Sequence, residues 1–407
     1  MKPEIVIVGG GMITHDQLLP SLLQMQRRGE VGGIAVCGLT GRALKALVES
    51  PVITRAFPGQ AVRCRPDLSG DLDRSCPDLY RDVIADTPPR SIVVVAMPDQ
   101  LHYDAVMAAL RHNQHVLCVK PLVLRASQAE EIEREAYARG LVVGIEYHKR
   151  FDDRSLRARK LYRDGTLGEF RLGTASLMEK WYYRYSNFQN WCTTENSDAF
   201  TYIGCHYVDL VHFITGLLPV AVSVYGVRDK YPNGNEGFLW TDARVIWDNG
   251  ACLNVQNSLS YPDEGPGPNT QGLTMYTSGR GRGGFLMHSD QYRGLGYCFT
   301  KRSDAPGATH YAEPSPDYFQ YNDLGGPGLT PVGYGLRSVE FIVRTVMEVD
   351  QAGGLAERQR LLKEIDDKGI VATPANSRYN EQVVEAGRVS ILNGGREVAI
   401  DSGSRAT

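Results

Sequence analysis

Two residues of the sequence have the types and positions expected of an acid–base pair. Lys120 follows the apolar run 115–119 and precedes Pro121, so it is predicted at the end of a buried strand. The proline restricts the backbone there, and a neighbouring cation would lower the pKa of the amine toward a useful range. His206 opens the apolar helical run 204–216, and imidazole titrates near neutral pH. The alternatives are a surface lysine and a structural histidine.

A glycine triplet follows the first apolar run of the chain. Residues 3–8 read as a strand that leads directly into the glycines, and helical character begins at about His15. Glycines at such a turn let the backbone approach a pyrophosphate, and the following helix N-terminus favours anions. This context predicts dinucleotide binding, with a tight structural turn as the alternative. The expected cofactor contacts here are Gly9, Gly10, Gly11, Met12 and Ile13.

The end of the second predicted strand lacks the acidic residue that usually selects NAD. Residues 37–42 read Cys-Gly-Leu-Thr-Gly-Arg, without Asp or Glu. Thr40 and Arg42 are the candidate contacts at this end of the cofactor. Arg42 either meets a 2′-phosphate or is an exposed helix residue. NAD is the expected cofactor, and NADP stays open.

The first 150 residues alternate apolar runs with helical segments, a pattern typical of βαβ units around a parallel sheet. The predicted strands are 3–8, 33–37, 92–96, 115–119 and 141–146. Helices are predicted at 100–112 and 126–139, the second with Ser127 as N-cap and Glu130 completing a capping box.

Beyond residue 150, alternating apolar and polar runs predict a second, largely antiparallel sheet. A hairpin is expected with Asn249-Gly250 at a turn whose two central residues both need positive φ. The predicted helices are 336–350, 355–367 and 378–392. The fold class is therefore α/β: a Rossmann doubly wound domain at 1–148, then an α+β domain at 149–407 with a large, mostly antiparallel open sheet for substrate binding and oligomerisation.

Composition narrows the function classes. The 407 residues include 42% hydrophobic and 22% charged residues and carry a net charge of -3, which favours small neutral or anionic ligands over nucleic acid or a membrane surface. The eight cysteines form no CxxC pair, so neither zinc nor any other metal is expected. A reducing, cytoplasmic location is the expectation.

Four segments together resemble the Gfo/Idh/MocA oxidoreductases, and the resemblance covers most of the chain. They are the glycine triplet, Pro98-Asp99-x-x-His102, HVLCVKP at 115–121 and GCHYVDLVHFITG at 204–216. The resemblance implies sugar or polyol substrates and homo-oligomers, dimers or tetramers, built on an open sheet. By position, Lys120 matches the lysine of the family's EKP motif beside the reacting hydroxyl, and His206 matches the usual acid or base. Further cofactor contacts are expected from Pro98, Asp99, His102, Lys120 and Pro121.

Two positions depart from the family pattern. The glutamate of EKP is Val119, and the aspartate usual four residues before the histidine is Tyr202. The departures favour a second chemistry, which resembles that of NAD-dependent glycosidases in the superfamily. Transient oxidation of a C3 hydroxyl acidifies the C2 proton, a base removes it, the C1 substituent leaves, water adds and the hydride returns. Tyr202 and Tyr147 are candidate bases, and a pocket-wall role is the alternative for Tyr202.

Two segments combine cations with aromatic residues that suit a sugar. They are 146–154, at the predicted domain boundary, and 180–191. Guanidinium groups bind oxyanions, and the pattern resembles NAD-dependent sulfoquinovosidases, so an anionic sugar is a hypothesis. The alternative is that the cations near 150 pair with Asp152 and Asp153. The candidate substrate-binding residues are Lys149, Arg150, Lys180, Tyr183, Arg184, Asn190 and Trp191.

The sequence thus predicts an enzyme that moves hydride between a nicotinamide cofactor and a ring hydroxyl, expected at C3, of a sugar or glycoside. Cofactor-recycling hydrolysis of a glycoside of an anionic sugar and net sugar or polyol dehydrogenation are the two versions. A non-catalytic sensor of cofactor or sugar is a further alternative. The presence of both Lys120 and His206 argues against the sensor.

Overall fold

The computed structural model describes residues 2–279, 282–289, 297–300, 309–312 and 317–400. The strands are β1 Ile5–Val8, β2 Ile34–Cys37, β3 Arg63–Arg65, β4 Ile92–Val95, β5 His115–Val119, β6 Val143–Glu146, β7 Glu169–Lys180, β8 Pro219–Lys230, β9 Glu236–Trp247, β10 Cys252–Tyr261, β11 Asn269–Gly279, β12 Arg282–His288, β13 Tyr297–Thr300, β14 Thr309–Ala312, β15 Gln320–Asn322, β16 Thr330–Val332 and β17 Val398–Ala399. The α-helices are α1 Leu19–Arg27, α2 Gly41–Val48, α3 Pro51–Ala56, α4 Leu79–Asp86, α5 His102–Arg111, α6 Ala126–Arg139, α7 Asp153–Arg163, α8 Cys205–Thr215, α9 Tyr334–Asp350, α10 Leu355–Lys368, α11 Pro374–Ser377 and α12 Tyr379–Leu392.

The chain forms two compact units. The first, here called the Rossmann unit, contains Met1–His148 and Phe319–Arg378, and the second, the sheet unit, contains Lys149–Tyr318 and Tyr379–Thr407. The sequence assigned 319–378 to the second domain, and the structure corrects this. The reason is packing: a Cβ on Gly144 of β6 would lie 2.6 Å from Ile342 of α9, so glycine lets this helix lie directly on the Rossmann sheet.

The Rossmann unit contains a six-stranded parallel sheet in the order β3-β2-β1-β4-β5-β6. Strands β1 and β4 are apolar and buried along their whole length, as a sheet covered on both faces requires. β5 is also buried throughout and is apolar after its first residue, His115. β3 has no counterpart among the predicted strands, because only Cys64 of its three residues is buried and two arginines flank it. In this strand order, turns at the carboxyl ends form the ligand-binding edge of the sheet.

The sheet unit is built on a mixed, mostly antiparallel sheet in the order β12-β11-β7-β10-β9-β8-β17. Only β7 and β10 run parallel among its neighbouring pairs. The hairpin predicted at Asn249-Gly250 joins β9 and β10, but the predicted turn conformation was wrong. Only Gly250 has positive φ, at 80°, and Asn249 Oδ1 instead accepts a hydrogen bond of 3.0 Å from the Ala251 amide.

All five predicted helices are present, four of them with differences at their ends. The predicted capping box at Ser127 and Glu130 was wrong, because α6 begins at Ala126 after an extended Arg125 and has no side-chain cap. A π-helix, Phe200–Gly204, leads into α8. Within the described ranges, no helix has the length and apolar character needed to cross a membrane, and no group of three or more His, Cys, Asp or Glu residues is placed to hold a metal.

Candidate active site

The glycine turn after β1 is closed on one side and open on the other. Gly9 has a φ of +114°, and a Cβ there would lie 2.0 Å from the Ala96 carbonyl oxygen, so only glycine fits against β4. Thr14 Oγ1 donates a 2.7 Å hydrogen bond to the Gly9 carbonyl and closes the turn. A Cβ on Gly11 would meet nothing within 4 Å. The turn therefore has the open backbone surface that a pyrophosphate needs, and helical structure begins at Met12 and Ile13.

The turns after β4 and β5 are joined by a buried histidine. The ring nitrogens of His102 lie 2.9 Å from the Pro121 carbonyl oxygen and 2.8 Å from the Met97 carbonyl oxygen. The sequence predicts His102 as a cofactor contact, and in the structure both of its ring nitrogens face protein carbonyls. His102 instead fixes the two turns that carry Asp99 and Lys120, both of which are buried. Pro98 directly precedes the short 3-10 helix that begins at Asp99.

A buried carboxylate lies next to the position where the family motif has glutamate. Val119 of β5 is in register with Glu146 of β6. Gln17 Nε2 donates a 2.7 Å hydrogen bond to Glu146 Oε1, Ser338 Oγ donates to the same oxygen, and His148 Nδ1 lies 3.1 Å from Oε2. Sequence reasoning missed Glu146, although an acid ending the apolar run at 141–146 was a usable signal.

At the end of β2, the side chains of the predicted cofactor contacts Thr40 and Arg42 bind groups of the protein. Thr40 is the N-cap of α2, and its hydroxyl accepts a 3.3 Å hydrogen bond from the Ala43 amide. Arg42 donates through Nε and Nη2 to the two carboxylate oxygens of Asp73, at 2.5 and 2.6 Å. Asp73 follows β3, and no sequence pattern indicated this partner.

In the sheet unit, His206 lies in the first turn of α8 and is buried. The preceding π-helix lies close against β10, since a Cβ on Gly204 would be 2.7 Å from Asn257 Oδ1. The next residue, Tyr207, donates a 3.4 Å hydrogen bond to Gln271 Oε1 of β11. Lys149 donates to the same oxygen, and its amine lies 5.3 Å from the centre of the Tyr207 ring. Gln271, missed from the sequence, thus joins a predicted cation to the helix of the candidate base.

Aromatic residues of the segment 180–191 pack together with Tyr202, for which a pocket-wall role was the alternative. The Tyr202 ring lies edge-on to Phe188 at 4.6 Å and to Trp191 at 5.6 Å between ring centroids. Tyr183 contacts Phe188 in the same way at 5.2 Å. Asn190 is exposed, and its side-chain amide donates a 2.9 Å hydrogen bond to Asn187 Oδ1. The wall and Tyr202 are therefore one aromatic cluster within the sheet unit.

Arg150 does not present its charge to a ligand. It is 1% exposed, and its Nε and Nη2 donate to the two oxygens of Asp209 at 2.8 and 2.6 Å. Tyr379 donates a 2.9 Å hydrogen bond to Asp209, and Asn380 donates another at 3.1 Å. Buried charges need such partners. The predicted substrate contact of Arg150 is therefore corrected to a structural ion pair.

Two further predicted substrate cations also have protein acceptors. Lys180 Nζ donates to the backbone carbonyls of residues 262, 263 and 265, at 3.1, 3.2 and 2.6 Å. Arg184 donates to the Leu259 carbonyl and to Asp229 at 2.9 and 2.8 Å. Its guanidinium lies 3.8 and 4.6 Å from the rings of Trp181 and Trp240. Both charges thus bind acceptors in loops and strands of the sheet unit, whereas the sequence predicts them as substrate contacts.

The second histidine of α8 cannot compete with His206 as an acid–base group. His212 Nδ1 lies 2.8 Å from the Leu217 carbonyl oxygen, and the ring packs on Tyr379 at 4.0 Å. Burial lowers the pKa of His212 to about 4, so it is neutral at physiological pH. Tyr147, the other predicted base, is 1% exposed in the Rossmann unit.

Two protein-family models match this chain. A model described as the oxidoreductase family with an NAD-binding Rossmann fold matches residues 4–147. A model of the GFO/IDH/MocA C-terminal domain matches residues 155–273. The chain belongs to the Gfo/Idh/MocA oxidoreductase family. The predicted family, the Rossmann domain with its NAD cofactor and the fold class are thereby confirmed.

Curated relatives are about a quarter identical to this Gfo/Idh/MocA chain over the parts that align. A scyllo-inositol 2-dehydrogenase (NADP(+)) of Bacillus subtilis is 25% identical over 47% of this chain and 53% of its own. A 2,7-anhydro-N-acetylneuraminate hydratase of Mediterraneibacter gnavus is 26% identical over 46% of this chain and 48% of its own. A D-glucoside 3-dehydrogenase of Escherichia coli is 28% identical over 33% and 38% of the two chains. The chain thus spans about half the length of the first two.

Solved structures extend the likeness to the whole fold. Scyllo-inositol dehydrogenase from Lactobacillus casei, determined with bound NAD(H) and scyllo-inositol, superposes with a TM-score of 0.63. The superposition covers 99% of this chain and 100% of that one, at 15% identity. At this identity the likeness shows the fold.

Proposed function

We propose that this chain transfers hydride between NAD(H) and a ring hydroxyl, expected at C3, of a sugar or cyclic polyol, with Lys120 and His206 as its acid–base residues. The observation that carries the proposal is the placement of Lys120. It is buried at the carboxyl end of β5, on the sheet edge that also carries the open glycine turn. The dehydrogenases of inositol and glucoside among the relatives support this class of substrate.

In this proposal, the glycine turn holds the cofactor, and Lys120 and His206 act on the reacting hydroxyl. The cofactor, when bound, supplies or accepts the hydride, and Gly9, Gly10 and Gly11 with the turn at Asp99 would hold it. Lys120 would donate a hydrogen bond to the reacting hydroxyl and stabilise negative charge on its oxygen. His206 would take the hydroxyl proton during oxidation and return it during reduction.

The sheet unit favours a polyhydroxyl ring over a strongly anionic one. Arg150, Lys180 and Arg184 already have protein acceptors, so they offer little to a sulfonate or carboxylate. The aromatic cluster around Tyr202 provides faces that suit the apolar side of a sugar ring. Gln271, beside Tyr207 and Lys149, is an amide of the kind that reads ring hydroxyls.

A second candidate is a reaction in which the cofactor is reoxidised within each turnover. One relative is named a hydratase, and hydration changes no net redox state. In such a reaction the hydride returns after elimination and water addition, and Tyr202 is our candidate base for the acidified proton. None of the relatives named above is a glycosidase, so glycoside hydrolysis rests only on the two sequence departures.

We also propose that the chain forms homo-oligomers through the face of its sheet that carries exposed apolar residues. Tyr276 is in register with Leu172 on one side and Phe285 on the other, and the three are 51%, 49% and 55% exposed. A row of this kind is typical of an interface between copies. Light scattering on Tyr276→Glu should show smaller particles than the wild type. An unchanged mass would contradict this interface.

The reaction is tested by measuring reduced cofactor and total product in the same assay, with the cofactor at a lower concentration than the substrate. Cyclic polyols, glucosides and anionic sugars are supplied with NAD⁺, and reduced cofactor and total product are measured together. NADH formed in step with product supports the dehydrogenase, and product far in excess of cofactor without NADH supports the recycling reaction. If neither NADH nor product is formed from any of these substrates, both the dehydrogenase and the recycling reaction are contradicted.

Variants with matched controls test whether Lys120 and His206 are the acid–base residues. Lys120→Met and His206→Asn should lower turnover by at least about a hundredfold, as is usual for acid–base groups, while NADH binding persists. Lys160→Met removes an exposed lysine paired with Asp164, and His112→Asn removes an exposed histidine. Both controls should keep full activity. Equal losses in variants and controls would remove Lys120 and His206 from the mechanism.

A further inference from the structure

The charged groups beside the end of β2 come from two separate segments. Arg42 is the second residue of α2, and Asp73 lies in the loop that follows β3. The loop packs directly on the helix: the Arg42 amide donates a 2.9 Å hydrogen bond to the Leu72 carbonyl, and Leu72 lies 3.0 Å from where a Cβ on Gly41 would be. The pair is therefore held by backbone contacts as well as by its own two hydrogen bonds.

This pair occupies the place where a Rossmann domain distinguishes its cofactors. The end of β2 normally carries the acid that holds the ribose hydroxyls of NAD, or has an arginine nearby for the 2′-phosphate of NADP. Here β2 ends at Cys37, and residues 38–40 bear no charge. The side chains of Arg42 and Asp73 are 68% and 66% exposed, so both are accessible to a ligand.

We propose that Asp73 sets cofactor choice by competing with the 2′-phosphate of NADP(H) for the Arg42 guanidinium. A guanidinium offers two parallel donors that fit either a carboxylate or a phosphate. Asp73 occupies the Nε–Nη2 side of the guanidinium and places a negative charge against it. A 2′-phosphate must therefore either displace the carboxylate or bind the Nη1–Nη2 side close to that negative charge. NAD(H) has no such phosphate and leaves the pair intact. The inference rests on the cofactor domain alone and is independent of the proposed reaction.

The test measures binding to the protein without substrate. NADPH and NADH are titrated by fluorescence, and 2′,5′-ADP and 5′-AMP by calorimetry, to wild type, Asp73→Ala, Arg42→Ala and the double variant. Asp73→Ala should tighten NADPH and 2′,5′-ADP by about fivefold, the upper range for an exposed ion pair. Arg42→Ala should weaken both by about tenfold, as loss of a charged hydrogen bond does. NADH and 5′-AMP should bind all four proteins equally.

The double variant and a charge control make the test decisive. Asp73→Ala should not increase the affinity for NADPH or 2′,5′-ADP when Arg42 is already alanine, because there is then no guanidinium for which the carboxylate and the phosphate compete. Glu49→Ala removes an equal charge from the end of the same helix, where Glu49 lies 3.8 Å from Lys45, and should change nothing. A gain from Asp73→Ala that persists in the double variant, or that appears equally with NADH, would overturn the proposal.

Discussion

Replacing Arg150 by methionine should destabilise the sheet unit without changing its preference between neutral and anionic sugars. The guanidinium and the Asp209 carboxylate are each about 1% exposed and share two hydrogen bonds. Removing one partner of a buried pair costs about 3–5 kcal/mol. Asp209 would keep the Tyr379 hydroxyl and the Asn380 amide, so we expect a loss near the lower limit of about 3 kcal/mol.

Thermal and urea unfolding measure this loss. For a unit of this size, about 3 kcal/mol corresponds to a melting temperature lower by about 6–12 °C. Arg150→Met with Asp209→Leu should lose less than Arg150→Met alone, because no buried charge is left without its partner. Arg171→Met is the surface control, since the side chains of Arg171 and its partner Glu169 are 50% and 65% exposed. Its expected cost is under about 1 kcal/mol.

The binding readout separates the structural role from the one first predicted. Arg150→Met protein, assayed below its melting temperature, should show equal changes in affinity for neutral and anionic ligands. A variant that melts like the wild type and loses affinity only for anionic sugars would refute the reasoning. Arg150 would then be a substrate contact.

Further predictions concern the glycine turn and one buried carboxyl. Gly9→Ala should destabilise the Rossmann unit by about 3 kcal/mol or more, because its Cβ would lie 2.0 Å from the Ala96 carbonyl oxygen. Gly11→Ala, whose Cβ meets nothing within 4 Å, should melt normally but bind NADH about tenfold more weakly in a fluorescence titration. Equal melting temperatures for the two would contradict this. Burial raises the pKa of Asp366 from 3.8 to about 6. A carboxyl with a raised folded-state pKa stabilises the fold below its unfolded pKa, and this stability is lost as pH rises to about 6. Asp366→Asn should therefore raise the free energy of unfolding by about 1–2 kcal/mol at pH 8 and not at pH 3.5. An equal gain at both pH values in urea unfolding would contradict this assignment.

The Rossmann unit was largely predictable because each of its central strands is a short apolar run bounded by polar residues. β5 has the predicted bounds, and β1, β2 and β4 differ by one or two residues. β3 was missed because its two arginines carry no strand pattern. The assignment of 319–378 was wrong for a different reason. Sequence order suggests one domain, whereas α9 finds its apolar partner in β6.

The roles of the cations could not be predicted from local composition. A run of lysines and arginines among aromatic residues has the composition of a binding site, but the fold decides which acceptors the cations meet. The acceptor of Arg150 lies 59 residues away, and the carboxylate beside Arg184 lies 45 residues away. Gln271 is 122 residues from Lys149. Only the folded chain shows these pairs, and they separate structural charges from those a ligand can use.

The most direct test of hydride transfer is a single turnover with deuterated substrate. Enzyme in excess over a ring-deuterated inositol or methyl glucoside is mixed with NAD⁺, quenched at short times and analysed by mass spectrometry for deuterium in the cofactor. We predict deuterated NADH with the wild type, whether or not the hydride later returns, and about a hundredfold less with Lys120→Met or His206→Asn. Absence of deuterium in the cofactor across the panel, in protein that binds NADH, would contradict hydride transfer to this class of substrate. Undiminished transfer in both variants would contradict the assignment of Lys120 and His206.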